Sequence, residues 1–294
     1  MHEKQYAEAL CKKLGQENYE LNVFRQWRHF EGIFSQLNLL FWAFWKANGK
    51  INISVARLGV PVLLRNIFNQ NKVYIVWHYY SNDDGKSWFL RQWYQLFIKL
   101  ARSLPKEKLE IVCVAPYWMN YFKNALGLPN LVYYPNLFDA DKYIEFRGMK
   151  KTNKIHFGQV SFKNNPALYD LAEKLHAQGY TCYFSTNVKE NAAKFPNYEN
   201  TYFEFFEDYL IEMASSKFTL AFPNFAEGWN RVAHESFLVG TQVIGPKLGG
   251  LGDLLSGANG HIVASIEEAE AIIINQEVQL INYHFLDKFG ENMD

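Results

Sequence analysis

Only three cysteines occur in the chain, Cys11, Cys113 and Cys182, far apart and with no CxxC pair. That excludes a disulfide framework and a cysteine zinc motif, and it fits a reducing compartment. An excess of charge of one sign is also missing. Thirty basic residues stand against thirty acidic ones, so no global field holds a nucleic-acid backbone and no nucleic-acid partner is expected. Long apolar runs are absent as well. The longest, Leu37 to Trp45, has nine residues and is interrupted by Asn38, far short of the ~20 that span a bilayer. Met1-His2-Glu3-Lys4-Gln5 carries no apolar signal-peptide core. The expectation is a soluble, cytoplasmic chain, with peripheral contact at the inner membrane face as an added expectation. There is no low-complexity segment and no short repeat.

What the chain has in excess is aromatic side chains, 17% of residues, with 8 Trp, 18 Tyr and 24 Phe. Such residues fill cores and also make stacking platforms for sugars, bases and lipid interfaces. At 49% hydrophobic and 20% charged, the chain is too apolar to be disordered. Its 294 residues suit two domains at a prior of roughly 150 residues each.

The hydrophobic pattern agrees. Phe24, Trp27, Phe30, Phe34, Leu37, Phe41 and Trp45 recur at helical spacing among Arg25, Arg28 and His29, predicting one or two amphipathic helices over 21–46. These would pack on a core or, because basic and aromatic residues mix, touch a membrane or a partner. Strands follow at 51–55, 72–77, 111–115 and 131–134, with helices over 86–103 and 117–126 between them. A polar, basic run at 147–153 reads as a linker. The alternation then restarts, with strands at 155–158, 180–185, 218–223 and 242–245 and helices over 166–178, 206–215 and within 227–240. Strands alternating with helices imply parallel sheets. The expected domains are 1–147 and 148–294, with the last helix packing back on the first domain. Trp77, Trp88, Trp93 and Trp118 would be core residues or sugar-stacking platforms.

The chemistry is concentrated between Ala221 and Val263. Glu227 lies in a loop and Glu235 in the helix after it, separated by seven residues. A carboxylate accepts two hydroxyl hydrogens at once, which suits a vicinal diol. The helix start between them offers N–H groups to an anion such as a diphosphate, and Gly249-Gly250 adds unhindered amides. Glu235 alone would read as a solvated helix residue. The whole string changes that. Glu227-Gly228-Trp229-Asn230, then Glu235, Gly240 to Ile244, Gly249-Gly250-Leu251-Gly252-Asp253 and Asn259-Gly260-His261-Ile262-Val263 resemble the donor-binding half of retaining GT-B glycosyltransferases of family 4. Upstream, Tyr134 to Tyr143 and Ile155 to Asn164 resemble that family's signatures at the end of the first domain and the start of the second. The likeness covers about 72–265.

The resemblance implies an α/β, GT-B chain: two Rossmann-like doubly wound domains facing each other across a cleft, the first shortened and rebuilt with aromatic helices. It implies transfer of a hexose from a UDP- or GDP-sugar, with retention, to a glycan, lipid-linked or protein-linked acceptor, without metal or other cofactor. Glu235 would hold the nucleotide ribose and Glu227 a sugar hydroxyl. Lys163 and helix amides would stabilise the leaving diphosphate. Gly158, Gln159, Gly228, Trp229, Asn230, Arg231, Gly249 and Gly250 would line the donor site. His78 would be the family's cleft-facing histidine. The sequence departs from the pattern in having Gln159 where the family has arginine, Gln242 where it has proline, and no glycine-rich first loop. Two rival readings stand beside this one. Asp139-Ala140-Asp141 is a literal DxD that could bind a divalent metal, although Asp139 is expected to cap a helix. A non-catalytic GT-B-like scaffold is the other.

Overall fold

A computed structural model describes residues 2–15, 33–68, 71–80, 88–159, 167–186, 188–189 and 202–290. Phe24, Trp27, Phe30 and the basic residues among them, the loop Ser81 to Gly85 and Lys163 lie outside the described residues. The chain divides into two compact units, Met1–Asn136 and Leu137–Asp294. The polar run 147–153 lies within the second.

In the first unit, β1 (Ile51–Val55), β2 (Lys72–Trp77), β3 (Leu109–Cys113) and β4 (Leu131–Tyr133) form one parallel sheet in sequence order. Ile75 is in register with Ile111, and Cys113 with Tyr133. Near-continuous apolar runs such as KVYIVW suit strands buried on both faces. Helices α1 (His2–Lys13), α2 (Ile33–Lys46), α3 (Gly59–Asn66), α4 (Trp88–Ser103) and α5 (Pro116–Asn124) accompany the sheet. Pro116 opens α5, where its missing N–H costs nothing. The indole of Trp77 packs on Tyr94 and Phe97 of α4 and on Phe122 of α5, at centroid distances of 5.9, 5.2 and 4.4 Å. Trp77 and Trp118 are therefore core residues, whereas Trp88 is exposed and Trp93 is tied to the Arg57 carbonyl.

In the second unit the strands are β5 (Lys154–Gln159), β6 (Thr181–Ser185), β7 (Phe218–Leu220), β8 (Gln242–Gly245) and β9 (His261–Ile262), all parallel in the order β6-β5-β7-β8-β9. Its helices are α6 (Asp141–Ile144), α7 (Ala167–Ala177), α8 (Phe206–Ser215), α9 (Arg231–Leu238), α10 (Gly249–Ala258), α11 (Ile266–Asn275) and α12 (Tyr283–Leu286). Ile155, Phe157, Phe184, Phe218 and Leu220 bury one face of the sheet against Leu168, Leu171 and Leu175 of α7 and Ile273 of α11. Tyr209 of α8 and Ser236 of α9 meet the other face, at His156 and Thr219. Helices on both faces make this unit doubly wound. Its strand order reverses between β5 and β7, and a doubly wound sheet binds ligands at such a switch point, beyond the carboxyl ends of the strands.

Two expected features differ. The strand over 218–223 stops at Leu220, so the segment from Ala221 to Asn230 is a loop before α9. Asp139 does not cap α6. Ala140 precedes that helix in a helical conformation with no side-chain cap, and the Asp139 carboxylate pairs instead with Lys142 at 3.0 Å. At Gln242, where the resemblance expects proline, the side-chain amide donates to the Gln279 carbonyl at 2.6 Å and so ties β8 to the tail of the unit.

Candidate functional site in the second unit

Two strand ends flank the switch point. At β5, Gly158 takes a left-handed φ of +69°, and a Cβ there would stand 3.3 Å from the Leu220 carbonyl at the end of β7. Gln159 follows it, beyond a register irregularity against β6. At β7, the chain enters the loop that carries Glu227, Gly228, Trp229 and Asn230. The resemblance placed these residues at one site; they are consecutive in the chain, in the loop between β7 and α9.

Asn230 organises the loop. Its Oδ1 accepts the Ala233 amide at 2.8 Å and so caps α9, while its Nδ2 donates to the Glu227 carboxylate at 2.8 Å. One side chain thus starts the helix and orients the acid before it. Asn230→Ala is expected to cost about 1 kcal/mol of stability through the lost cap and to release Glu227. A urea melt checks the first effect and nucleotide-sugar affinity the second.

Gly249 and Gly250 open α10 against the same loop. The Gly250 amide donates to the Glu227 carbonyl at 3.0 Å, so it is engaged by protein and not offered to an anion. Gly249 has φ +57°, and a Cβ there would meet the Glu227 carbonyl oxygen at 2.6 Å and its nitrogen at 2.9 Å. Gly249 thus allows α10 to abut the backbone of Glu227.

Glu235 is the fifth residue of α9 and is buried. The alternative of a solvated helix residue is overturned. Tyr209 donates its hydroxyl to one carboxylate oxygen at 3.2 Å, and the Arg231 guanidinium lies 3.7 Å from the other. Burial pushes the Glu235 carboxyl up from 4.5 to about 7, with Arg231 and the Tyr209 hydrogen bond pulling the other way. Burial raises the Tyr209 hydroxyl well above its ordinary range, with the neighbouring Glu235 charge adding to it, so Tyr209 remains a donor.

Arg231 lies over the Phe138 ring at 4.5 Å, and His234 packs on the same ring at 3.9 Å. The Trp229 indole N–H donates to His234 Nδ1 at 3.1 Å. His234 is therefore the Nε2–H tautomer, and burial, aided by Arg231, lowers its pKa to about 3. A neutral imidazole at this place packs and positions Trp229; it holds no exchangeable charge near neutral pH.

A buried polar chain that no motif announces supports α9. His156 of β5 sits in register with Thr219 of β7. Its ring nitrogens meet Thr219 Oγ1 at 3.2 Å and Ser185 Oγ at 2.9 Å, and Ser236 of α9 donates to Thr219 at 2.9 Å. Satisfied polar networks fix one arrangement in a low-dielectric interior, and this one pins α9 to the sheet. A polar residue inside each of two apolar strands was the available signal.

His78 follows β2 in the first unit, half-buried, with its ring 5.9 Å from that of Tyr6. Among the described residues, no group of three or more His, Cys, Asp or Glu side chains is placed to hold a metal ion.

No family model and no curated protein matches the chain. Solved structures do. Anabaena HepE in complex with UDP and glucose is 18% identical over 90% of this chain and 78% of its own, with a TM-score of 0.64. The same protein in complex with UDP-glucose is 15% identical, over 91% and 79%, at 0.61. The sucrose-phosphate synthase of Thermosynechococcus elongatus is 10% identical, over 92% and 82%, at 0.64. Likeness at this level of identity speaks to architecture, and together with the two parallel-sheet α/β units it shows that the chain has the GT-B fold.

Proposed function

We propose that the protein is a retaining glycosyltransferase that moves a hexose from a nucleotide diphosphate sugar to a glycan, lipid-linked or protein-linked acceptor. The observation that carries this reading is that Glu227, held by Asn230 in the loop after β7, and the buried Glu235 of α9 both follow one of the two strands that flank the switch point of the second sheet. The complexes of HepE with UDP and with UDP-glucose support a uridine nucleotide as the first donor to test.

In this reading Glu235 accepts the two ribose hydroxyls. Glu227, held by Asn230, accepts a sugar hydroxyl. The costly event is departure of the diphosphate, and preorganised positive groups aimed at that charge contribute several kcal/mol in a water-poor site. The Gly250 amide is engaged elsewhere, so the positive groups assigned to the diphosphate are the start of α9 and two cations, Arg231 and Lys163. Gln159 brings no charge. Lys163 and His78 enter this reading through the sequence resemblance. No metal is assigned a part.

A thermal-shift panel of UDP, GDP, ADP and UDP-glucose tests the reading. One diphosphate is expected to stabilise the protein, because a ligand at a hundred times its Kd adds about 2.7 kcal/mol to the native state. The anomeric configuration of the product, read by NMR, tests retention. Absence of binding by any nucleotide would leave a scaffold with this fold as the better account.

A further inference from the structure

We propose that the exposed face of α2, with the residues that follow it, is a docking surface for an anionic lipid bilayer, on which the chain lies without crossing it. The inference rests on the first unit alone and holds whether or not the second unit transfers a sugar.

The face is apolar where water should disfavour it. Leu37, Phe41 and Trp45 stand at i, i+4 and i+8 and so share one side of the helix. They are 52%, 63% and 55% exposed. The inner side is used differently: Ala43 and Ala47 are buried, and Asn66 at the end of α3 donates to the Ala47 carbonyl at 3.1 Å. That end of α3 adds to the corner. The Arg65 guanidinium lies over the rings of Phe44 and Trp45 at 5.6 and 5.9 Å, and Phe68, three residues on, is 93% exposed.

Charge decides the occupant. From Gly32 to Asn82 the sequence contains no aspartate and no glutamate. Among the described residues, those charged from Ile33 to Tyr80 are all cations; Lys46 and Lys50 follow Trp45 in the chain and are exposed, and Arg65 lies over its ring. A second copy of the chain is a poor partner, because a two-fold contact would set these cations against their own copies with no acid to meet them. An anionic headgroup layer answers both features. Lysines reach the phosphates while their stems and the aromatic rings sit in the interfacial region. The 14 described residues of α2 rise about 21 Å, less than the roughly 30 Å hydrocarbon layer, and no described helix is long and apolar enough to span a membrane.

Flotation with vesicles tests this. The full chain is expected to bind vesicles of phosphatidylcholine with about a third phosphatidylserine, and to bind pure phosphatidylcholine at least tenfold more weakly. High salt should reverse the difference. Lys46→Glu with Lys50→Glu should weaken anionic binding by about 25-fold or more, at about fivefold per cation removed. Phe41→Ser with Trp45→Ser should weaken it by about tenfold or more. All four side chains lie outside the proposed transferase site, so any UDP response should stay as in the parent protein. Equal binding to neutral and anionic vesicles, or none to either, overturns the proposal without needing a variant. So does a dimer, seen by sedimentation, that the same substitutions dissolve; it would make this face a contact between copies. Loss of the UDP response with vesicle binding intact would count against the transferase reading alone.

Discussion

Glu235→Ala is expected to weaken UDP binding by about a hundredfold or more. The carboxylate is proposed to accept two ribose hydroxyls, and each hydrogen bond to a charged group contributes about 1.5–3 kcal/mol. Isothermal titration measures the loss, and UDP affinity equal to the parent's would remove Glu235 from the site. The pH dependence gives an independent check. In the folded protein the carboxyl titrates near 7, raised by burial from 4.5. The protonated acid keeps only part of its accepting capacity, so affinity should fall as pH drops below about 7, approaching tenfold per pH unit, and level off above. Binding near pH 6 should then release a proton, which titration in buffers of different ionisation heat detects. Stability moves the other way. A raised folded pKa means that the native state binds a proton more tightly than the unfolded chain, so this contribution to stability is full below about 4.5 and is lost as pH climbs through about 7. Holding the acid ionised above that range costs about 3 kcal/mol. Glu235→Gln keeps the acceptor for Tyr209 and cannot ionise. It should abolish both pH slopes without lowering the melting temperature at pH 8.

Gly249→Ala is expected to cost about 2–5 kcal/mol of stability and to reduce nucleotide-sugar affinity together with it. Two independent penalties add. Left-handed backbone costs a residue with a Cβ about 1–2 kcal/mol, and φ here is +57°. The added carbon would also stand 2.6 Å from the Glu227 carbonyl oxygen and 2.9 Å from its nitrogen. Both contacts are backbone, so relief requires the loop that carries Glu227 to move. That loop is clamped from the other side by Asn230, which links Glu227 to the cap of α9. A shift at Gly249 is therefore transmitted to both acids. Ala258→Gly, at the far end of the same helix, serves as a control that lowers stability without displacing Glu227. A Gly249→Ala protein with unchanged melting temperature would contradict the packing described for α10.

Much of the site was legible in the primary structure because its residues are close in sequence. Glu227, Asn230 and Glu235 lie within one loop and the first turns of one helix, so local geometry already places them around a single helix start. The switch point was not legible in this way, because the order β6-β5-β7-β8-β9 pairs strands far apart in the chain and local signals do not fix it. Asp139 shows where local reasoning fails. An aspartate after Pro135-Asn136 suits a cap, yet Ala140 is already helical in conformation, and Asp139 turns to Lys142.

By itself, then, the sequence determined the α/β class, two successive strand–helix blocks, and the acid pair with its glycine turn, because periodicity and short-range spacing carry that information. Tertiary structure alone decided the raised pKa of Glu235, since its burial depends on packing that no local window of sequence encodes. It alone decided that Gly250 serves the Glu227 carbonyl and not an anion. Parallel-strand register, which no window of sequence encodes, set His156 beside Thr219 and built the polar support beneath α9.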